Sequence, residues 1–101
     1  MKIPTTLRIL GKQWDIEEVD EIHEAFGLCH KSKLKIQIEK DLKESLKLDI
    51  ILHEVMHAID WSMNTKITEE QNTALATGLT AVFIDNPKFV EMLWKATKTS
   101  C

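Results

Sequence analysis

The 101-residue chain contains no tyrosine, only three glycines, two prolines and two cysteines, and no excess of positive charge. Each shortage excludes something. Cys29 and Cys101 form neither a disulfide framework nor a CxxC pair, so both are expected as free thiols in a reducing cytoplasm. Thirteen basic against sixteen acidic residues, net −3, leave no electrostatic footprint for nucleic acid. The lysines of KSKLKIQIEK and KDLKESLK alternate with apolar or acidic residues, which reads as the wet side of a strand and of a helix rather than a phosphate track. No apolar run is long enough to cross a bilayer, and the first ten residues lack the apolar stretch of a signal peptide. The expectation is a cytoplasmic protein without nucleic-acid or membrane partners.

What is present describes one ordinary globular domain, residues 1–101, at 44% hydrophobic and 29% charged, with no repeat, linker or low-complexity segment. TLRILGKQWDIEEV alternates on both sides of a Gly11-Lys12 turn, with Leu7 and Ile9 on one face and Trp14 and Ile16 on one face. That predicts a β-hairpin. EVDEIHEAFG is either a short helix or an irregular connection ending at Gly27. KLKIQIEK, residues 33–40, alternates Leu34, Ile36 and Ile38 with polar residues and predicts a half-buried strand.

From Asp41 to about Met63 the period becomes helical. Leu42, Leu46, Ile50, His53 and His57 form one stripe, and Leu48, Leu52, Val55, Ile59 and Met63 a neighbouring one. Apolar residues on so much of the circumference imply a helix packed on several sides. MNTKI ends it; TEEQNTALATGLTAVFID resumes helical spacing, with Thr68 and Gln71 placed as a capping box. Asn86 as cap and Pro87 at the first helical position start a last helix with Phe89, Val90, Leu93 and Trp94 on one face. Strands first and helices after predict an α+β fold: a hairpin plus a third strand in a small sheet, packed on a central helix followed by two more.

The chemistry lies in IILHEVMHAIDW, residues 50–61. Residues four apart on a helix share a face about 6 Å apart, so His53 and His57 can aim two imidazole nitrogens at one divalent cation. Zn²⁺ suits such ligands. Glu54, turned by about 100°, is placed to take a proton from water instead, the division of labour of a metal hydrolase. The bland alternative is a pair of core histidines bonded to backbone or carboxylate. A catalytic site needs a third ligand. Glu69 borders the apolar face of its helix, formed by Leu75, Ala76, Leu79, Val82 and Phe83, and is preferred; Glu70 points nearly opposite and stays open. Both carboxylates also suit a helix N-terminus. Asp60 lies one turn beyond His57, either supporting the site or solvated. Trp14, Trp61 and Trp94 read as core or rim packing, and Met56, Met63 and Met92 as filler.

HEVMHAID followed by TEEQNTALATGLTAVFIDNP resembles the small zinc metallopeptidases of phages and prophages, of gluzincin type, over most of the chain. The resemblance implies a minimal zincin-like core in which His53, His57 and a downstream glutamate bind zinc and Glu54 is the base. It also implies that the strand at residues 33–40 is an edge on which an extended peptide can pair. The family often carries Asp or Asn four residues after its glutamate ligand; here Thr73 follows Glu69 and Ala74 follows Glu70. With no tyrosine, His23 and His30 are the candidate oxyanion donors by residue type. The expected function is a peptidase acting on a peptide or protein. The alternatives are a metal-stabilised binding module acting on a host protein, or a metal-free helical interaction protein.

Overall fold

The structure, a computed structural model, describes residues 2–22 and 25–99. It is an α+β fold of four strands and three helices: β1 (Thr6–Ile9), β2 (Lys12–Val19), β3 (Gly27–His30), β4 (Lys35–Glu39), α1 (Glu44–Met63), α2 (Glu69–Asp85) and α3 (Pro87–Thr99). The hairpin closes with Ile9 opposite Lys12, so its two-residue turn is Leu10-Gly11, one residue earlier than the Gly11-Lys12 expected. Both turn residues have positive φ, 49° and 83°, which a two-residue turn of this hand requires and glycine adopts without strain.

The sheet order is β1-β2-β4-β3, with β2 and β4 parallel and the outer pairs antiparallel. This corrects the sequence reading twice. A fourth strand, β3, follows the connection at Gly27. And β4 lies between β2 and β3, so the strand expected as a peptide edge is interior; the edge on that side is β3. GLCH carries no β-branched residue and spans four positions, too little alternation to be read as a strand. β4 also starts late, because Lys31–Lys33 form a single 3₁₀ turn and Leu34 takes a left-handed conformation, φ 50°, to swing the chain back.

Alternation puts Trp14, Ile16, Ile36 and Ile38 on one face, where they are buried against α1, with Ala58, Ile50, Ile51 and Val55 on the facing side. On the opposite face Glu17 accepts from Gln37 Nε2 at 3.0 Å and pairs with Lys35 at 3.2 Å. Trp61 stands edge-on to the buried Trp14, centroids 6.0 Å apart, as the rim of this core.

α1 touches the sheet on one side and α2 on the other, which explains apolar residues around so much of its girth. It begins at Glu44, three residues later than expected, because Lys43 is still extended. Lys47 is not on a wet face: it is buried, and its ammonium donates to Glu18 Oε2 at 3.2 Å and to the Lys40 carbonyl at 2.6 Å, tying the first turn of α1 to the sheet. The helix ends at Asn64, left-handed at φ 53°.

α2 runs back along α1, since Asn72 reaches His53 and Thr77 reaches Asp49. Its capping box forms as expected, with Gln71 N–H donating to Thr68 Oγ1 and Thr68 N–H to Gln71 Oε1, each at 3.0 Å. The face it buries differs from the one expected. Asn72, Ala76 and Thr80 are buried, whereas Leu75, Leu79 and Val82 are exposed. Small residues permit close approach to α1, and the larger leucines are displaced to the flank. Asn86 stands at the cap position of α3, its carbonyl accepting from the Phe89 N–H at 3.0 Å and the Val90 N–H at 3.2 Å, while its side-chain amide donates backward to the Val82 carbonyl at 2.8 Å, closing α2. All thirteen residues of α3 are exposed, the apolar face of Phe89, Val90, Leu93 and Trp94 included. No helix among the described residues is long and apolar enough to cross a membrane.

Candidate metal centre

His53 and His57 occupy successive turns of α1, on the side that α2 and β3 approach. Their Nε2 atoms lie 3.0 Å apart, with ring centroids at 4.7 Å. The Glu69 carboxylate closes the triangle: Oε1 is 2.7 Å from His53 Nε2 and Oε2 is 3.0 Å from His57 Nε2. Among the described residues these three are the group of histidine, cysteine and acidic side chains whose ligand atoms converge, all within 4.8 Å. Glu70 is not part of it.

The reason for Glu69 is geometric. Relative to the buried residues Asn72, Ala76 and Thr80, the 100° helical step puts Glu69 at the middle of the face turned to α1 and Glu70 about 100° off it. The residue is therefore the preferred one, but through its alignment with the small, polar packing face rather than with the leucines. Thr73, one turn on from Glu69, donates its hydroxyl to Glu69 Oε1 at 3.3 Å. Asn72 donates its amide to the His53 carbonyl at 3.0 Å and so locks the two helices in register at the site. Neither contact was evident in the sequence.

Hydrogen bonding alone leaves this triangle unsatisfied. Each contact uses the same Nε2 of each ring, and one nitrogen offers either one N–H or one lone pair. Protonating both rings at Nε2 would set two N–H groups against each other at 3.0 Å, so at most two of the three contacts are met at once. A cation accepting all three lone pairs resolves the conflict, and the donor set of two imidazoles and one carboxylate fits Zn²⁺. Burial lowers the His57 pKa, Glu69 opposes this and His53 adds to it, which favours the neutral imidazole.

Glu54 is buried at 6% exposure, and burial, reinforced by the Glu69 charge, pushes its pKa up to about 7. The edge strand β3 passes close to it at Gly27. A Cβ there would stand 3.0 Å from Glu54 Oε2 and 2.6 Å from Ile50 Cγ2, so the edge strand can pass this close only with glycine at that position. Beside them a cleft of about 330 Å³ is lined by Gly27, Leu28 and Cys29 of β3, by Lys31, and by His53, Glu54, His57 and Glu69.

The remaining candidates fall elsewhere. His30 Nε2 is bonded to Gln37 Oε1 at 2.7 Å on the far face of the sheet, which removes it as an oxyanion donor. His23 lies outside the described residues, as does Cys101. Asp60 accepts from the Thr65 hydroxyl and from the Ile67 N–H, the latter at 3.0 Å; it shapes the turn that delivers Thr68 and Glu69 and is not part of the cluster. The Cys29 thiol, pushed up to about 11 by burial and by Glu54, lines the cleft without joining the three ligand atoms. Lys31 is the cation of the cleft, and its sequence setting among alternating lysines concealed it.

Against known families, curated proteins and solved structures, the chain matches no family model, no curated protein and no structure.

Proposed function

We propose that the protein is a zinc-dependent peptidase with a minimal zincin-like site, working in a reducing cytoplasm on a peptide or protein. The observation that carries this reading is the convergence of His53 Nε2, His57 Nε2 and the Glu69 carboxylate within 3.0 Å of one another beside a buried Glu54. His53, His57 and Glu69 would hold a divalent cation, and its Lewis acidity would acidify a water and polarise a carbonyl.

The chain's own residues do the rest. Glu54, with a pKa near neutrality, takes the proton of the attacking water and returns it to the leaving amine. The outer edge of β3, which has no strand partner among the described residues, offers its backbone N–H and C=O groups to an extended substrate. Lys31 on the cleft meets the negative charge that develops on the carbonyl oxygen. A binding module with a purely structural metal would need a fourth protein ligand. Neither Asp60 nor Cys29 stands in the cluster, and this favours hydrolysis over that alternative.

Glu54→Gln tests the reading. It keeps the shape of the side chain and should retain the metal while peptide cleavage falls by about 10²–10⁴-fold; unaltered cleavage by this variant excludes Glu54 as the base.

A further inference from the structure

The cleft at the metal centre differs in charge from one end to the other. β3 and α1 run along it in the same direction. At its start a Cβ on Gly27 would meet Ile50 and Glu54; past its end the charge of Lys31 acts on His57 and Asp60. Lys31 lines the cleft at that end, and Lys33 follows it in the same 3₁₀ turn. Among the described residues Lys31 forms no ion pair, unlike Lys35, Lys40, Lys47 and Lys95. Asp60 does not take it, because its carboxylate accepts from the Thr65 hydroxyl and the Ile67 N–H.

The other end has the opposite sign. Ala25 is shared between the cleft and a neighbouring hollow of about 480 Å³, whose charged residues are Glu21 and Glu39. Between the two ends the wall offered by β3 is Gly27, Leu28 and Cys29, with no charged side chain. The carboxylates at the centre do not offset Lys31. A divalent cation would balance Glu54 and Glu69 and leave the Lys31 ammonium as the net charge of the cleft.

We propose that the cleft selects a peptide with an acidic side chain on the Lys31 side of the bond held at the metal, and none on the Glu21 side. This selectivity rests on the peptidase reading of the site and gives its substrate class. The four residues of β3 span about 13 Å when extended, so the favoured acid lies within about three residues of that bond. An ammonium on a flexible stem meets a carboxylate over a range of positions rather than in one register. The charge that meets a developing oxyanion thus also holds a permanent one. Only the second use distinguishes Glu from Gln in the substrate.

The test uses octapeptide pools, acetylated and amidated, in which one position at a time is Glu or Gln and the others are random. Retention by the Glu54→Gln protein in the presence of zinc is read by mass spectrometry and needs no turnover; wild-type protein on the same pools reads cleavage. Glu should be retained about fivefold over Gln at low salt. In cleavage the preference should fall on one side of the cut only. Adding Lys31→Met should bring the retention ratio to about one, whereas loss of an oxyanion contact alone lowers cleavage of the Glu and Gln pools alike. Retention with this charge preference but no cleavage supports the selectivity and refutes the peptidase reading. Equal retention of Glu and Gln overturns the proposal. So does a preference that survives Lys31→Met and therefore belongs to the metal, one that falls on both sides of the cut, or one seen only when the peptides carry a free C-terminal carboxylate.

Discussion

At its first turn α2 sets a charged side chain, Glu69, between two histidines that are mostly shielded from water; at its last it leaves Val82 and Ile84 in solvent. One helix thus carries at one end a carboxylate held in place by specific contacts, though its side chain is 66% exposed, and at the other apolar groups left in solvent. The polar end is explained by what converges on it, since Thr73, Asn72 and the Thr68–Gln71 box all orient that first turn. The apolar end has no such network among the described residues, and Val82 and Ile84 stay exposed there. Burial of an apolar stripe therefore depends on which neighbour reaches it, while a polar cluster needs its neighbours to exist at all.

The sharpest way to break this comparison is to place the same charge on the two faces of α2. Ala76→Asp puts a carboxylate where exposure is 0%, against α1, and should destabilise the chain by about 3 kcal/mol or more. Leu79→Asp, three residues on at 37% exposure, should change the stability of the single chain by no more than about 0.5 kcal/mol. Denaturant midpoints distinguish the two, and equal losses would refute the assignment of faces. A smaller effect is expected at the site end. Gly27→Val adds atoms where Ile50 Cγ2 already stands at 2.6 Å from a Cβ, so overpacking should cost about 1–3 kcal/mol and displace Glu54. A variant as stable and as active as the parent would show that β3 does not pass this close. The smallest concerns Thr73→Val, which removes the hydroxyl on Glu69 Oε1 and should weaken zinc affinity about tenfold in competition with a chromophoric chelator.

These two regions also mark how far the sequence can be read. The hairpin, the α1 periodicity, the Thr68–Gln71 box and the pairing of His53 with His57 are local patterns, and each appears, with the hairpin turn one residue earlier and the start of α1 three residues later than spacing placed them. β3 did not appear, because four residues headed by glycine carry almost no periodicity and only pairing with β4 makes them a strand. The edge was assigned to the wrong strand for the same reason. Lys47 and Lys31 were hidden by composition: in a lysine-rich stretch nothing local distinguishes the one that Glu18 and the Lys40 carbonyl hold inside, or the one that faces the cleft, from its solvated neighbours. Glu69 was preferred over Glu70 from a helical wheel whose larger apolar residues Leu75, Leu79 and Val82 turned out to be exposed. The choice rests instead on Asn72, Ala76 and Thr80, a stripe too small and polar to be recognised as the packed face without the partner helix in view.

Everything proposed about the site depends on His53, His57 and Glu69 sharing one cation. The direct measurement is elemental analysis of the protein after exhaustive gel filtration, compared with His53→Ala. Close to one zinc per wild-type chain, and none in the variant, is the predicted result. A folded wild-type chain that retains no divalent metal and gains no thermal stability on adding zinc would contradict it.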